Sequence, residues 1–274
     1  MGSFKLTDED AIKLLLEIKK HYGYDFLHYN LASVKRRLNR LIEKDHFPSL
    51  AEFHFRILKE ETYFERFIEE LTVNVTEMFR DPGFYIALRE KVLPQLATYP
   101  HIKIWHAGCS TGEEVYSMAI LLKEEGLYDR TLIYATDINQ RVIETAKAGI
   151  YPIHTMKTNT ENYLAAGGKS FFSEYYRADH NNSIFDESLK KNLVFSIHNL
   201  VSDNSFNEFN LIICRYTLIY FDSELQNRAI SLFHESLSNF GFLALGSKES
   251  LIFSKCREHY KVISRNDRIW KKVI

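Results

Sequence analysis

The sequence predicts an α/β protein: a mostly parallel sheet with helices on both faces, an all-helical unit ahead of it and a small β insertion within it. Three observations carry this. Up to about residue 70, apolar positions recur at helical spacing only. From Ile102 onward, short apolar runs alternate with amphipathic helical stretches, the signature of parallel strands joined by crossover helices. The stretch KSFFSEYYRADHNNSIFDESLKKNLVF then interrupts that alternation, with Asn181-Asn182 between short aromatic runs.

In the leading unit, Leu14, Leu15 and Ile18 share a helix face behind N-capping groups within 7–10. Val34, Leu38, Leu41 and Ile42 line one face of the next helix, and Arg36, Arg37, Arg40 and Lys44 take the others. SLAEFHFRIL and TYFERFIEELTV complete the unit. IKIWHAG follows as a strand, EEVYSMAILLKEE as a helix ending near Gly126, TLIYATD as a strand and NQRVIETAKAG as a helix closed by Gly149. Later come NLVFSIHNL, FNLIICR, the helical LQNRAISLFHESL and the strand GFLALGS.

A length of 274 residues allows one large core plus an accessory unit, and a net charge of −1 removes the global basic field that nucleic-acid binding would favour. Three widely spaced cysteines fit a reducing cytoplasm better than a disulfide framework. The N-terminus has no apolar core of signal-peptide type, and no window approaches the ~18 apolar residues of a membrane span. The expected state is a cytoplasmic monomer without membrane insertion.

The loop Gly108–Gly112 lies where open parallel sheets bind ligands, beyond a strand's C-terminal end. It lacks the Gly-Lys-Ser/Thr of a phosphate loop and the third glycine of the dinucleotide fingerprint, and its helix opens with Glu113-Glu114. Carboxylates there repel a pyrophosphate and attract a cation, which argues against a nicotinamide oxidoreductase. S-adenosyl-L-methionine, with its sulfonium and ammonium groups, meets the requirement. The competing account is helix capping, since Ser110-x-x-Glu113 and Thr111-x-x-Glu114 both read as capping boxes. Asp137, at the end of the next strand, is placed to bind ribose hydroxyls; its alternative role is as an N-cap.

Several ordered segments together resemble the chemotaxis receptor methyltransferase family, CheR. TVNVTEMFRD is similar to its Thr-x-Asn-x-Thr-x-Phe-Phe-Arg signature, and GCSTGEEVYS to its cofactor loop. ATDINQRVIETAKAGIY, HNL, IICRYTLIYF and GSKESL follow in the family's order. The resemblance implies a Rossmann-like S-adenosylmethionine-dependent methyltransferase fold, with a helical receptor-docking domain over 1–70 and a methyltransferase domain over 71–274. A small β subdomain over about 168–198 docks a receptor tail peptide in some members. It further implies methyl esterification of receptor glutamates, with S-adenosyl-L-homocysteine as product. Asn74, Thr76 and Arg80 would line the cofactor and reacting site, beside Gly108 of the cofactor loop. Glu113 would face the methionine moiety, Asp137 the ribose, and Asn199 and Leu200 the adenine. Arg215 and Tyr216 would close the pocket, and Tyr220 would sit by the transferred methyl. Two positions depart from the family: Met78 where Phe is usual, and Tyr216 where Asn is usual. A phenol cannot reproduce an amide's donor-plus-acceptor pattern, so it either stacks on adenine or crowds the pocket. The second outcome would make the chain a catalytically impaired binding module.

Displacement at a sulfonium methyl by a carboxylate needs no general base, because a free glutamate is ionised above ~4.3. Alignment and a dry, preorganised site must do the catalysis. Arg80 suits a carboxylate through its planar fork, either the substrate's or the cofactor's own. Tyr220 can donate a hydrogen bond or pack on a sulfonium. His106 and His198 lack partners at metal-ligand spacing, and Cys109 reads as small filler. Arg36, Arg40 and Lys44, with Arg37 alongside, form a basic stripe suited to glutamate-rich receptor helices; the bland account is a solvated face.

Overall fold

The computed structural model describes residues 4–72, 74–252 and 254–273. Four helices come first: α1 (Asp8–Tyr22), α2 (Leu31–Lys44), α3 (Leu50–Lys59) and α4 (Glu61–Leu71). Their starts are set by side chains that satisfy free backbone N–H groups. Thr7 forms a capping box with Asp10, Asn30 accepts from Ser33 and Ser49 from Glu52. The apolar faces meet in one core that includes Leu14, Ile18, Phe26, Leu41, Phe53 and Phe67, all fully buried. The helical unit thus has a core of its own.

A segment after α4 leads into α5 (Pro82–Ala87), a π-helical turn (Leu88–Val92) and α6 (Leu93–Leu96). Then β1 (Ile102–Ala107), α7 (Glu113–Glu124), β2 (Thr131–Asp137) and α8 (Gln140–Ala148) alternate as expected. Next are β3 (Ile150–Pro152), α9 (Met156–Ala165), β4 (Tyr176–Asp179) and β5 (Asn182–Phe185). The chain closes with β6 (Leu193–Ile197), β7 (Phe209–Cys214), α10 (Ser223–Ser236), β8 (Leu237–Leu245), β9 (Tyr260–Ser264) and β10 (Ile269–Lys272). The main sheet has the order β6-β2-β1-β7-β8-β10-β9. Strands β6, β2, β1, β7 and β8 are parallel, while β10 pairs antiparallel with both β8 and β9. The chain steps outward from β1 through β2 to β6, then returns to the other side of β1 at β7. That reversal opens a crevice at the C-terminal ends of β1 and β7. Fold class and Rossmann-like arrangement are as the sequence predicts.

Two expectations need correction. The β insertion is a three-stranded sheet, β3-β5-β4, so it begins at Ile150 and ends at Phe185. Residues 193–197, placed inside the insertion by the 168–198 boundary, form β6 at the edge of the main sheet, paired with β2. The C-terminal antiparallel pair β9 and β10 was not anticipated. Their short runs, Tyr-Lys-Val-Ile-Ser and Ile-Trp-Lys-Lys, carry no clean period of two. Among the described residues no helix is long and apolar enough to cross a membrane.

The segment between α1 and α2 is stitched to the β7–α10 connection. Asn30 N–H donates to the Tyr220 carbonyl at 2.9 Å, and Asp222 N–H donates to the His28 carbonyl at 2.8 Å. Arg141 of α8 meets Glu65 and Glu69 of α4 at 3.1 Å each. The helical unit is thereby seated against the C-terminal edge of the sheet.

Candidate active site

A cleft enclosing about 980 Å³, counted out to its open mouth, sits at the switch point. Gly108, Cys109 and Ser110 line it after β1, Asp137 and Ile138 after β2, and residues 198–201 after β6. Arg215, Tyr216, Thr217 and Tyr220 line it after β7, and Asn74, Thr76 and Arg80 cover it from the segment that follows α4.

The loop after β1 is held close to the sheet. The N–H groups of Gly108 and Cys109 both donate to the Thr136 carbonyl, at 2.8 and 2.9 Å. Gly108 has φ +77°, and a Cβ there would lie 2.4 Å from Thr217 Oγ1, so only glycine fits. The capping-box account fails: the N-cap of α7 is Gly112, with φ +94° and no side-chain cap. Ser110 Oγ is instead buried without a hydrogen-bond partner among the described residues. Asp137 accepts from Ser110 N–H at 2.9 Å and from Asn139 N–H at 3.0 Å, while Asn139 itself caps α8. Burial raises the Asp137 carboxyl above its ordinary value, against the pull of those donors. Its remaining lone pairs are suited to hydroxyl donors, which would offset that burial. A glycine-tight loop, an unpartnered hydroxyl and a buried acceptor at a strand end together fit an adenosyl ligand.

The two helix-opening acids part company. Glu114 lines the cleft, and Glu113 does not. Successive helical residues point about 100° apart, so only one can face the wall. Glu113 accepts from Thr111 Oγ1 at 2.6 Å, and burial, partly countered by that bond, pushes its carboxyl up to about 7. Glu114 is tied on both oxygens: His106 Nδ1 lies at 3.0 Å from one and Arg215 at 2.8 Å from the other. Burial works against the charged form of Glu114, but these partners outweigh it and hold the carboxyl below its usual range. Glu113, expected to face the methionine moiety, thus stands just behind the wall, and the carboxylate on the wall is Glu114, already paired with an arginine.

Arg215 is the hub. Its side chain is 3% exposed and reaches Asp81 at 2.5 Å as well as Glu114, with its guanidinium over the Phe84 ring at 4.2 Å. Tyr216 lies half-buried on the cleft wall. Its hydroxyl donates to Asp81 and lies 3.1 Å from Ser247 Oγ, and the Arg80 guanidinium stacks on its ring at 3.8 Å. The Arg80 guanidinium also donates to the Val75 carbonyl at 3.2 Å and has no carboxylate partner among the described residues. The loop behind is pinned by buried Glu249, which accepts from Gly246, Tyr216 and Ile219 N–H at 2.7, 3.0 and 3.3 Å.

Of the residues expected at the site, Asn74, Thr76, Arg80, Gly108, Asp137, Asn199, Leu200, Arg215, Tyr216 and Tyr220 share this one cleft. Arg36, Arg40 and Lys44 lie elsewhere, exposed on α2, with Arg40 and Lys44 3.5 and 4.0 Å from Glu70. Arg37 leaves that stripe: it is half-buried over the Tyr220 ring at 5.5 Å. Sequence reading missed Tyr29, Asp81, Glu114 and Glu249. Only Glu114 carried a signal, as one of an acidic pair.

The family descriptions "CheR methyltransferase, SAM binding domain" and "CheR methyltransferase, all-alpha domain" match residues 74–268 and 9–72. The Pseudomonas putida protein Cher3 is 48% identical over 99% of this chain and 100% of its own length. The chemotaxis protein methyltransferase of Listeria monocytogenes is 29% identical over 89% of this chain and 91% of its own. Chemotaxis protein methyltransferase 1 of Pseudomonas aeruginosa is 28% identical, covering 84% and 85%. Among solved structures, the N-methyltransferase NodS of Bradyrhizobium japonicum overlaps loosely, with a TM-score of 0.36 and 15% identity over 66% of this chain and 67% of that one. With the cofactor loop, the seated helical unit and the family signature all in one place, the chain belongs to the CheR methyltransferase family, whose cofactor is S-adenosyl-L-methionine.

Proposed function

We propose that the protein transfers a methyl group to glutamate side chains on the cytoplasmic helices of chemoreceptors, forming methyl esters. The observation that carries this reading is Arg80: a guanidinium on the cleft wall, clamped by the Tyr216 ring, with no carboxylate partner among the described residues. Such a fork is an anion receptor. The neighbouring cation, Arg215, is already spent on Asp81 and Glu114, so Arg80 is the group left to take an incoming carboxylate.

S-adenosylmethionine supplies the electrophilic methyl. Asp137 holds the ribose, and Asn199 and Leu200 border the adenine. Asn74 and Thr76 cover the cleft and exclude water. Arg80 orients the substrate carboxylate, and Tyr220 flanks it. No proton need be removed, because that carboxylate is already ionised, so positioning and water exclusion are the residues' whole task. The exposed Arg36, Arg40 and Lys44 offer a steering face for an acidic helix, with Glu70 tempering two of them. This work would place the protein in the cytoplasm.

The test is methyl transfer from isotopically labelled S-adenosylmethionine to a receptor cytoplasmic fragment, followed by mild alkali. Glutamyl esters release methanol; label that resists alkali sinks the reading. A second reading, a binding module without turnover, rests on Tyr216 lying on the cleft wall. Cofactor binding without transfer, restored by Tyr216→Asn, would favour that reading.

A further inference from the structure

The helical unit does more than sit beside the cleft. Tyr29, Leu71 and Thr72 belong to it or to its boundary, and all three line the cofactor crevice. Thr72 spends its hydroxyl on the Ile68 carbonyl at 2.8 Å, and Tyr29 brings the second polar group. Its backbone is fixed by a bridge to Phe221, flanked by the His28–Asp222 and Asn30–Tyr220 hydrogen bonds. Its ring is wedged between Phe26 and Phe221, with centroids at 5.1 and 5.0 Å. Two other phenols of this unit are satisfied, Tyr22 donating to the Ile57 carbonyl at 2.8 Å and Tyr63 to Asp45 at 2.7 Å, while that of Tyr24 lies off the cleft. The Tyr29 hydroxyl has no partner among the described residues. The residue is half-buried on the cleft wall, so a hydroxyl positioned this firmly, with no protein partner, is open to pair with a ligand bound in the cleft. Burial and then the charge of Asp137 hold the phenol above its ordinary value. Tyr29 and Asp137 line the same cleft, and no hydrogen bond joins them.

We propose that Tyr29 contacts the cofactor: its hydroxyl and the Asp137 carboxylate bracket the ribose diol of the S-adenosyl group, so the helical unit supplies one wall of the cofactor site. This rests on the S-adenosylmethionine reading of the cleft. Asp137 accepts from one ribose hydroxyl, and the phenol, able to donate or accept, pairs with the other. Seating of the helical unit and binding of cofactor are then coupled through one side chain.

The experiment is calorimetry on the full chain with S-adenosylhomocysteine and its 2′-deoxy and 3′-deoxy analogues. Tyr29→Phe keeps the ring contacts with Phe26 and Phe221 and removes only the hydroxyl. It should weaken S-adenosylhomocysteine by about 3- to 10-fold, the effect of one neutral hydrogen bond. Against the analogue lacking the contacted hydroxyl, it should bind as wild type does. Equal weakening for all three ligands, or no weakening for any, overturns the proposal. A wild-type protein that ignores S-adenosylhomocysteine overturns the cofactor reading itself, and this inference with it.

Discussion

Replacing Glu113 by glutamine separates a buried carboxyl's cost from its use. Its pKa is pushed up from 4.5 to about 7, first by burial, with the Thr111 hydroxyl pulling the other way. Between those values the folded chain keeps a proton that the unfolded chain releases. Stability therefore falls as pH rises through that window, and the full penalty is present above it. The gap of about 2.5 pH units, at about 1.4 kcal/mol each, amounts to about 3.5 kcal/mol. Glutamine keeps the shape and an acceptor for Thr111 Oγ1 but cannot ionise. Urea unfolding of both proteins at pH 5 and pH 8 should show the variant gaining about 2–3 kcal/mol on wild type between the two conditions. A difference that does not change with pH refutes the reasoning. Repeating the pH 8 measurement with saturating S-adenosylhomocysteine decides the residue's function. The gain persists if Glu113 stays off the cleft wall, and it collapses if the ligand's ammonium reaches the carboxylate.

Other substitutions probe the frame around the cleft. Glu114→Gln leaves Arg215 and His106 facing a neutral amide in a buried cluster, and should cost about 3–5 kcal/mol of unfolding free energy. Because the Glu114 carboxyl is held below its usual value, the wild-type advantage should shrink as pH falls through the acid range. Gly108→Ala drives a Cβ into Thr217 at a positive φ and should lower the melting temperature and abolish S-adenosylhomocysteine binding together; the double variant with Thr217→Ala should recover part of the loss. Arg36→Glu with Arg40→Glu should leave S-adenosylhomocysteine affinity unchanged while slowing methylation of a receptor fragment, most strongly at low salt.

What the sequence made legible is what local pattern dictates. The Gly108–Gly112 loop, Asp137 at the end of β2, the N-cap of α1 and the Gly149 stop of α8 each depend on a few neighbouring residues. Glu113 against Glu114 was not legible, because a one-residue choice of helix face is set by how α7 docks on the sheet. Arg215 finds Glu114 101 positions away and Asp81 134 away, and no spacing rule reaches so far. Tyr29 meets Phe221 across two domains. Strand β6 was recognised as a run yet also counted in the insertion, since its exposed alternation suits an edge strand of either sheet.

The structure gives the departure at position 216 a physical account. The position has two separable jobs. Its backbone, at φ +60°, turns the chain after β7 and donates its N–H to Glu249; any residue that can enter the left-handed region supplies that. Its side chain points toward Arg80 and Asp81, where a phenol reaches the carboxylate with its hydroxyl and offers its ring to the guanidinium. An asparagine there could bond to one neighbour but could not stack. Tyr216 therefore exchanges an amide contact for a ring that clamps the Arg80 guanidinium and narrows the space beside it. Tyr216→Phe distinguishes the two effects: it keeps the stack and loses the Asp81 bond. If stacking is what matters, it should hold the KM for receptor near wild type while Tyr216→Asn raises it. Equal KM values in the two variants would show that the ring has no part in orienting Arg80.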